Sequence, residues 1–366
     1  MPIDVFKVLK DLMEMPAVTG FEEQRRKRVI AHFSKYCDSV SVDVIGNVIG
    51  TLGSGERAVM LAAHYDQIGF MIKYIDKDGY ASFDQVGGWD PRVVYGMRVR
   101  IWVGDDPGDY LIGTIGSKAR HLTDPSEREK AVQLKDMKID FSASNEEEAT
   151  RIGVKAGCVC TPDTELTYLG KDGSDSVVGP AFDDVCAVVS HLEAMDILSK
   201  SPPMQLKVHF VATTQEEVGL RGATVSAYNI QPWCAIASDV EHAIAPGVEA
   251  GRVGDIRLGK GPIIGVGANF TRALWEILED EAKANEIPCQ RIAIPAASGT
   301  DAWAIQVTRG GTITGLVSIP NRYMHSANEV VNLKDVANVG KLLAATIKKL
   351  DKSDIKHTVE VFRKSG

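Results

Sequence analysis

Ala58-Val59-Met60-Leu61-Ala62-Ala63 runs without a polar side chain into His64-Tyr65-Asp66. A strand with one wet face alternates apolar and polar residues, whereas an unbroken run of this length fits a strand covered on both faces, as in a parallel or mixed sheet. The abrupt change to His and Asp at its end is therefore informative, because side chains beyond the carboxyl ends of strands in an open α/β sheet meet in one crevice. Three other apolar runs end in the same way. Residues 206–213 lead to Gln215-Glu216-Glu217, residues 233–238 to Asp239, and residues 312–319 to His325.

Outward from this run, the chain opens with helices. Residues 1–15 scatter Asp4, Lys7, Lys10, Asp11 and Glu14 among apolar side chains, an amphipathic pattern unlike the uncharged stretch of a signal peptide. Thr19-Gly20-Phe21-Glu22 has capping-box spacing and predicts a second helix from there to about Tyr36. Residues 39–44 and 47–52 read as strands. Beyond Gly69 the texture changes to short β-like runs (70–75, 98–103, 110–115) broken by Gly, Asp and Pro, with a short helix near 145–152. This β-rich stretch ends near Pro162, after which α/β alternation resumes. Residues 69–162 are therefore expected to be a β-barrel-like insertion within an α/β domain made of 1–68 and 163–366. Later helices are expected at 186–198, at 270–285 and, capped by Asn332, along Val336, Val339, Leu342, Leu343, Ile347 and Leu350.

The 366 residues carry a formal net charge of -8 and no dense basic run, which argues against nucleic-acid binding. No transmembrane segment is predicted, and six scattered cysteines fit a reducing, cytoplasmic setting better than a disulfide scaffold. Cys158-Val159-Cys160 has no second cysteine pair and reads as strand filler.

The polar clusters supply imidazoles and carboxylates, the N/O donor set that suits Zn²⁺, Co²⁺ or Mn²⁺. Two metal ions a few ångströms apart require one bridging carboxylate, for which Asp183 in Asp183-Asp184 is suited. His64 with Asp239 can then hold one ion, and Glu217 with His325 the other. Adjacent side chains diverge, so Glu216 is free to take a proton from water while Glu217 binds metal. Asp66, two residues from His64, can fix the imidazole by accepting its second N–H. His32, His121, His191, His209, His242 and His357 lack comparable carboxylate company and read as structural.

Ala63-His64-Tyr65-Asp66-Gln67-Ile68-Gly69, Gly87-Gly88, Ala181-Phe182-Asp183-Asp184, Thr213-Thr214-Gln215-Glu216-Glu217-Val218-Gly219, Ser298-Gly299-Thr300-Asp301 and Arg322-Tyr323-Met324-His325 closely resemble the tetrahedral (TET) aminopeptidases. That family includes bacterial glutamyl aminopeptidases and proteins once labelled endoglucanase M. The resemblance runs in order from the first helix to the last. It implies a mixed-sheet phosphorylase/hydrolase-like catalytic domain, and an inserted domain that mediates dimerisation, with dimers building a hollow shell, expected to be a dodecamer. It implies two divalent ions per subunit on His64, Asp183, Glu217, Asp239 and His325, with Zn²⁺ the first choice, and Glu216 as general base and acid. Ser298, Gly299 and Thr300 are implied to line the substrate cleft, and the substrates to be short peptides with a free N-terminus. Two positions depart from the family pattern: Val185 stands where many relatives carry Arg, and Gln67 where Glu is common. The neighbouring Cys186 raises the expectation of an oxidation-sensitive site.

Rival expectations are a metal-dependent deacylase or carboxypeptidase, a glycosidase using Glu216 and Glu217, and a non-catalytic metal-stabilised assembly protein.

Overall fold

In the computed structural model, which describes residues 3–126 and 128–355, the opening run becomes a strand with its two sides in different cores. Val59, Leu61 and Ala63 pack into the main core, and Met60 and Ala62 into a smaller one on the opposite face with Val211, Ala223, Ala227, Ala235 and Ile305. That double coverage explains why the run carries no polar residue.

Three strands precede the insertion: β1 (Ser39–Val42), β2 (Val48–Leu52) and β3 (Ala58–His64). Six more, β4 (Gly69–Ile75), β5 (Ala81–Val86), β6 (Arg98–Trp102), β7 (Tyr110–Gly116), β8 (Lys138–Asp140) and β9 (Val159–Pro162), close into an antiparallel barrel in the order β4-β5-β8-β7-β6-β9. The barrel has its own core, in which Phe70 stacks on Trp89 and meets Phe83 edge-on. The remaining strands are β10 (Thr167–Tyr168), β11 (Ser176–Gly179), β12 (Lys207–Thr213), β13 (Cys234–His242), β14 (Ile263–Gly267), β15 (Gln290–Ile294), β16 (Ile313–Asn321) and β17 (Glu329–Asn332).

The large sheet has the order β1-β2-β12-β3-β13-β16-β14-β15, with β10-β11-β17 as a separate small sheet. Its middle four strands are mutually parallel, and register sets Thr213 beside His64 and Ala237 beside Ala62. The next two strands of this sheet in chain order after β3, β12 and β13, lie on opposite sides of it, so a crevice opens at the carboxyl end of β3. Helices Phe182–Ser199 and Leu333–Leu350 cover one face of the sheet; Arg221–Ile230 and Asp301–Gln306 cover the other. The first of these is buried almost all round, which explains its lack of an amphipathic stripe.

Two expectations need correction. The second helix spans Glu23–Phe33, with Glu22 and not Thr19 at its N-cap position and no side-chain capping bond from it: both side chains are drawn into a buried network described below. The strand expected to end at Ser238 continues to His242, so Asp239 lies within it. Asn332 caps the last helix as expected, its Oδ1 accepting from the Lys334 amide at 2.9 Å. Both Cys158 and Cys160 are free thiols at the barrel strand β9.

Candidate active site

At the carboxyl edge of the parallel strands the chain turns sharply, and five of the nine non-glycine residues with positive φ among the described residues lie there: Ala181, Gln215, Leu220, Tyr323 and His325. Such left-handed conformations are disfavoured for residues with a Cβ and persist where surrounding structure enforces them. Here they aim Asp183, Glu216, Glu217 and His325 toward the end of β3.

Asp183 is the centre. His64 Nε2 lies 2.9 Å from its Oδ1 and His325 Nε2 lies 3.2 Å from its Oδ2, so each carboxylate oxygen faces a different imidazole. Glu217 Oε2 sits 3.5 Å from His325 Nε2, and Glu216 Oε2 sits 3.9 Å from His64 Nε2. The two adjacent glutamates therefore serve opposite halves of the site. Ligand atoms of His64, Asp183 and Glu217 fall within 4.8 Å of one another, as do those of His64, Glu216 and Asp239. The sequence-derived set, His64, Asp183, Glu216, Glu217, Asp239 and His325, thus converges in one place.

Its electrostatics invite positive charge. Burial, reinforced by Asp239, Asp301 and Asp183 against His64, pushes Glu216 up to about 10. Burial and the neighbouring carboxylates likewise hold Glu217 and Asp239 well above the usual carboxylate range. Asp183 goes the other way: burial opposes ionisation, yet hydrogen bonds to His325 and His64 bring it well below its ordinary value. Burial also opposes charging His64, but Glu216, Asp183 and Asp66 outweigh it and raise its pKa. The Glu217 Oε1 is buried without a hydrogen-bond partner. Mutually repelling buried carboxylates with an orphaned oxygen fit a cation site, since the attraction of each carboxylate to a divalent ion would outweigh these repulsions.

The supporting residues were less accessible to sequence reasoning. Asp66 is buried, but the atom nearest His64 Nδ1 is its backbone carbonyl at 3.2 Å, with the carboxylate at 3.5 Å. That carboxylate accepts instead from Thr19 Oγ1 at 2.6 Å and from the amides of Glu216 and Glu217 at 3.1 and 3.4 Å, fixing the glutamate pair. Glu22 accepts from Thr214 Oγ1 at 2.6 Å, just before the pair. Glu329 accepts from the Asp183 amide at 2.9 Å and the His325 amide at 3.2 Å, joining the bridge position to the second histidine. Asp184 accepts from the His64 amide at 3.2 Å, and Asp301 from Thr213 Oγ1 at 2.5 Å. A signal for Glu329 was present: it is an acid at the head of the apolar Val330-Val331 pair, four residues past His325.

Gln67 does not line the crevice; its carboxamide oxygen accepts from the buried Arg25 guanidinium. Val185 packs into the main core. Cys186 is fully buried, and burial with Asp184 holds its thiol well above the ordinary range, so it is protonated and shielded, contrary to the expected oxidation sensitivity. Of the histidines read as structural, His191 meets Ser238 Oγ at 3.1 Å and His209 meets Thr51 Oγ1 at 3.0 Å. His32 does have a carboxylate, Asp11, at 2.8 Å, across the first two helices. His121 is exposed in a short 3-10 turn, and His357 lies outside the described residues.

The barrel closes one side of the site through Gly87 and Gly88. A Cβ on Gly87, whose φ is +75°, would stand 2.4 Å from Ile68 and 3.3 Å from Glu217 Oε2; one on Gly88 would stand 3.3 Å from His325 Nδ1. These two positions admit no side chain without moving the site. The open side is a cleft of about 440 Å³, lined in part by Leu220, Glu241, His242, Trp303 and Met324, and by Ser298, Gly299 and Thr300 where the helix Asp301–Gln306 begins. A larger groove of about 850 Å³ lies at the amino ends of β13 and β16, but its charged lining residues Arg272 and Glu276 pair with each other at 2.7 Å. Among the described residues no helix is long and apolar enough to cross a membrane.

The whole chain has counterparts among known proteins. A lysyl aminopeptidase of Pyrococcus furiosus is 33% identical over 351 residues, covering 95% of this chain and 98% of that protein. The solved structure of a TET aminopeptidase from a marine-sediment Thaumarchaeota archaeon superposes with a TM-score of 0.89 at 32% identity, covering 95% and 96% of the two chains. The Pyrococcus horikoshii TET1 peptidase, which can assemble into a tetrahedron or a large octahedral shell, superposes with a TM-score of 0.81 at 33% identity over 93% and 98%. The M42 glutamyl aminopeptidase family model matches residues 46–342; the chain belongs to this family and is an aminopeptidase.

Proposed function

We propose that the protein is a two-metal aminopeptidase that removes the first residue of short peptides with a Glu216 general base. The observation that supports this most directly is the Asp183 carboxylate with one oxygen toward each histidine, 2.9 and 3.2 Å away. In this reading His64 and Asp239 would hold one divalent ion, Glu217 and His325 the other, and Asp183 would be shared between them. Zn²⁺ is the first expectation, with Co²⁺ and Mn²⁺ compatible with the same N/O donors. Bound there, two ions would lower the pKa of a coordinated water and offset negative charge developing on the peptide carbonyl oxygen.

The protein's own groups then do the following. Glu216 takes the proton of the attacking water, and returns it to the departing amine nitrogen as the peptide bond breaks. Asp66 holds Glu216 and Glu217 in register through their amides, and Glu329 holds Asp183 and His325 through theirs. Ser298, Gly299 and Thr300 line the channel along which the peptide lies. Residues 1–68 and 163–366 act as the catalytic domain and residues 69–162 as a dimerisation domain, with homodimers assembling into a hollow dodecameric shell in the cytoplasm.

Release of the N-terminal residue from free and N-acetylated peptides by metal-free protein reconstituted with Zn²⁺, Co²⁺ or Mn²⁺ tests the reading. Metal-dependent release from free peptides alone is expected. Cleavage of acetylated peptides alone would establish a deacylase instead. Glu216→Gln is expected to lose about 10²–10⁴-fold in kcat while binding both ions; loss of an ion in that variant would make Glu216 a ligand.

A further inference from the structure

The extension of β13 past Asp239 has a chemical consequence. Side chains two residues apart on a strand share a face, so Glu241 projects on the same side as Asp239 and lines the same cleft. The Glu241 Oε1 accepts from the His242 amide at 2.8 Å, which fixes the carboxylate at the strand end. Resting on the two-metal reading above, the charges of Asp183, Asp239, Glu216 and Glu217 are matched by two divalent ions. Glu241 is then the one carboxylate of the cleft that no metal matches, with the His242 imidazole as its neighbouring basic group. Among the described residues lining the cleft there is no lysine or arginine to neutralise it or to receive an acidic substrate side chain. Leu220, Trp303 and Met324 give the same cleft apolar walls, and Trp303 is 44% exposed.

We propose that Glu241 makes this a subsite for a basic first residue, so that peptides beginning with lysine or arginine are preferred. A long aliphatic stem capped by a cation matches apolar walls that end in a carboxylate. The ring of Trp303 adds a face on which an ammonium or guanidinium can rest. An acidic first residue would be placed against Glu241 with no cation to offset the repulsion, so it is selected against.

The test compares Lys-Ala-Ala with norleucyl-Ala-Ala, whose first side chain has the same stem without the charge, using Zn²⁺-loaded wild type, Glu241→Gln and Glu241→Lys. Wild type is expected to favour lysine over norleucine in kcat/KM by about 10–100-fold, the worth of one charge-assisted contact. In Glu241→Gln that ratio should fall toward one, and Glu241→Lys should favour Glu-Ala-Ala. A lysine-to-norleucine ratio unaltered by Glu241→Gln overturns the proposal. So does an equal loss on both peptides, which would place the carboxylate at the α-amine that every substrate shares. Calorimetric binding of lysine amide and norleucine amide to the same proteins reads the subsite without turnover. An enzyme that releases nothing yet binds lysine amide in a Glu241-dependent manner would lose the aminopeptidase reading and keep the subsite; absence of that preference would remove the subsite whatever the turnover.

Discussion

The two histidines of the site are held in opposite ways. His64 is the last residue of a central strand, its side chain 2% exposed, with Asp184 on its amide and Asp66 beside its ring. His325 lies four residues beyond β16 in a loop, at φ +59°, with its side chain 36% exposed and Glu329 on its amide. One half of the site is a floor built into the sheet, and the other is a rim attached by a few polar contacts. Residues that form the floor should matter to folding as well as chemistry, whereas those of the rim should matter to chemistry alone.

Arg25 offers the largest break in that distinction. It is fully buried, donating to the carbonyls of Leu12, Met15 and Tyr65 at 3.0–3.1 Å and to Gln67, and so ties the first two helices to the segment following His64. Burial pushes its pKa down to about 9, with Asp66, Tyr65 and Glu22 opposing, which leaves it charged at neutral pH. Arg25→Met strands several buried carbonyls and is expected to cost about 3–5 kcal/mol of folding stability. Urea denaturation in chelator, without metal, measures this. A loss below about 1 kcal/mol would show that the floor is not coupled to the fold.

Glu329→Gln probes the rim. The amide keeps the shape but only one acceptor oxygen for the amides of Asp183 and His325 and for Asn321, so about 10–100-fold weaker metal binding is expected. Stability without metal should not fall, because burial and Asp183 push Glu329 up to about 8, so at pH 7 the folded chain holds a proton that the unfolded chain releases, and Gln removes that cost. Competition with a chromogenic chelator reads the affinity, and an unaltered value would remove Glu329 as a positioning residue.

The same contrast explains what was legible in the sequence. The floor strand announced itself, because Ala58-Val59-Met60-Leu61-Ala62-Ala63 is apolar on both faces and stops at His64. Glu216, Glu217, Asp239 and His325 were found by their places near strand ends. The connecting network was not, because Thr19, Glu22 and Glu329 meet their partners over 47, 192 and 146 residues of chain, and each has an ordinary local reading. Thr19 and Glu22 show the conflict directly: their spacing matches a capping box, yet buried partners on Asp66 and Thr214 win over a cap that water could replace. Glu241 has no assigned face in the sequence reading, because a β13 that ends at Ser238, four residues short of His242, leaves Glu241 in a turn.

His191 carries the smallest expected effect and tests the floor from beneath. It lies on the helix Phe182–Ser199 against β13, with its Nε2 3.1 Å from Ser238 Oγ, and burial pushes its pKa down to about 3. Unfolded, the imidazole titrates near 6.5. Between those values the unfolded chain binds a proton that the folded chain refuses, so stability is intact above about pH 6.5 and declines as pH falls toward 3. At pH 5 the loss from this group is about 2 kcal/mol relative to pH 7.5. In His191→Gln, the difference in unfolding free energy between those two pH values should shrink by that amount, measured in chelator so that metal release does not contribute. An unchanged difference would mean that the helix yields enough to hydrate the imidazolium, and that the floor is less rigid than its burial implies.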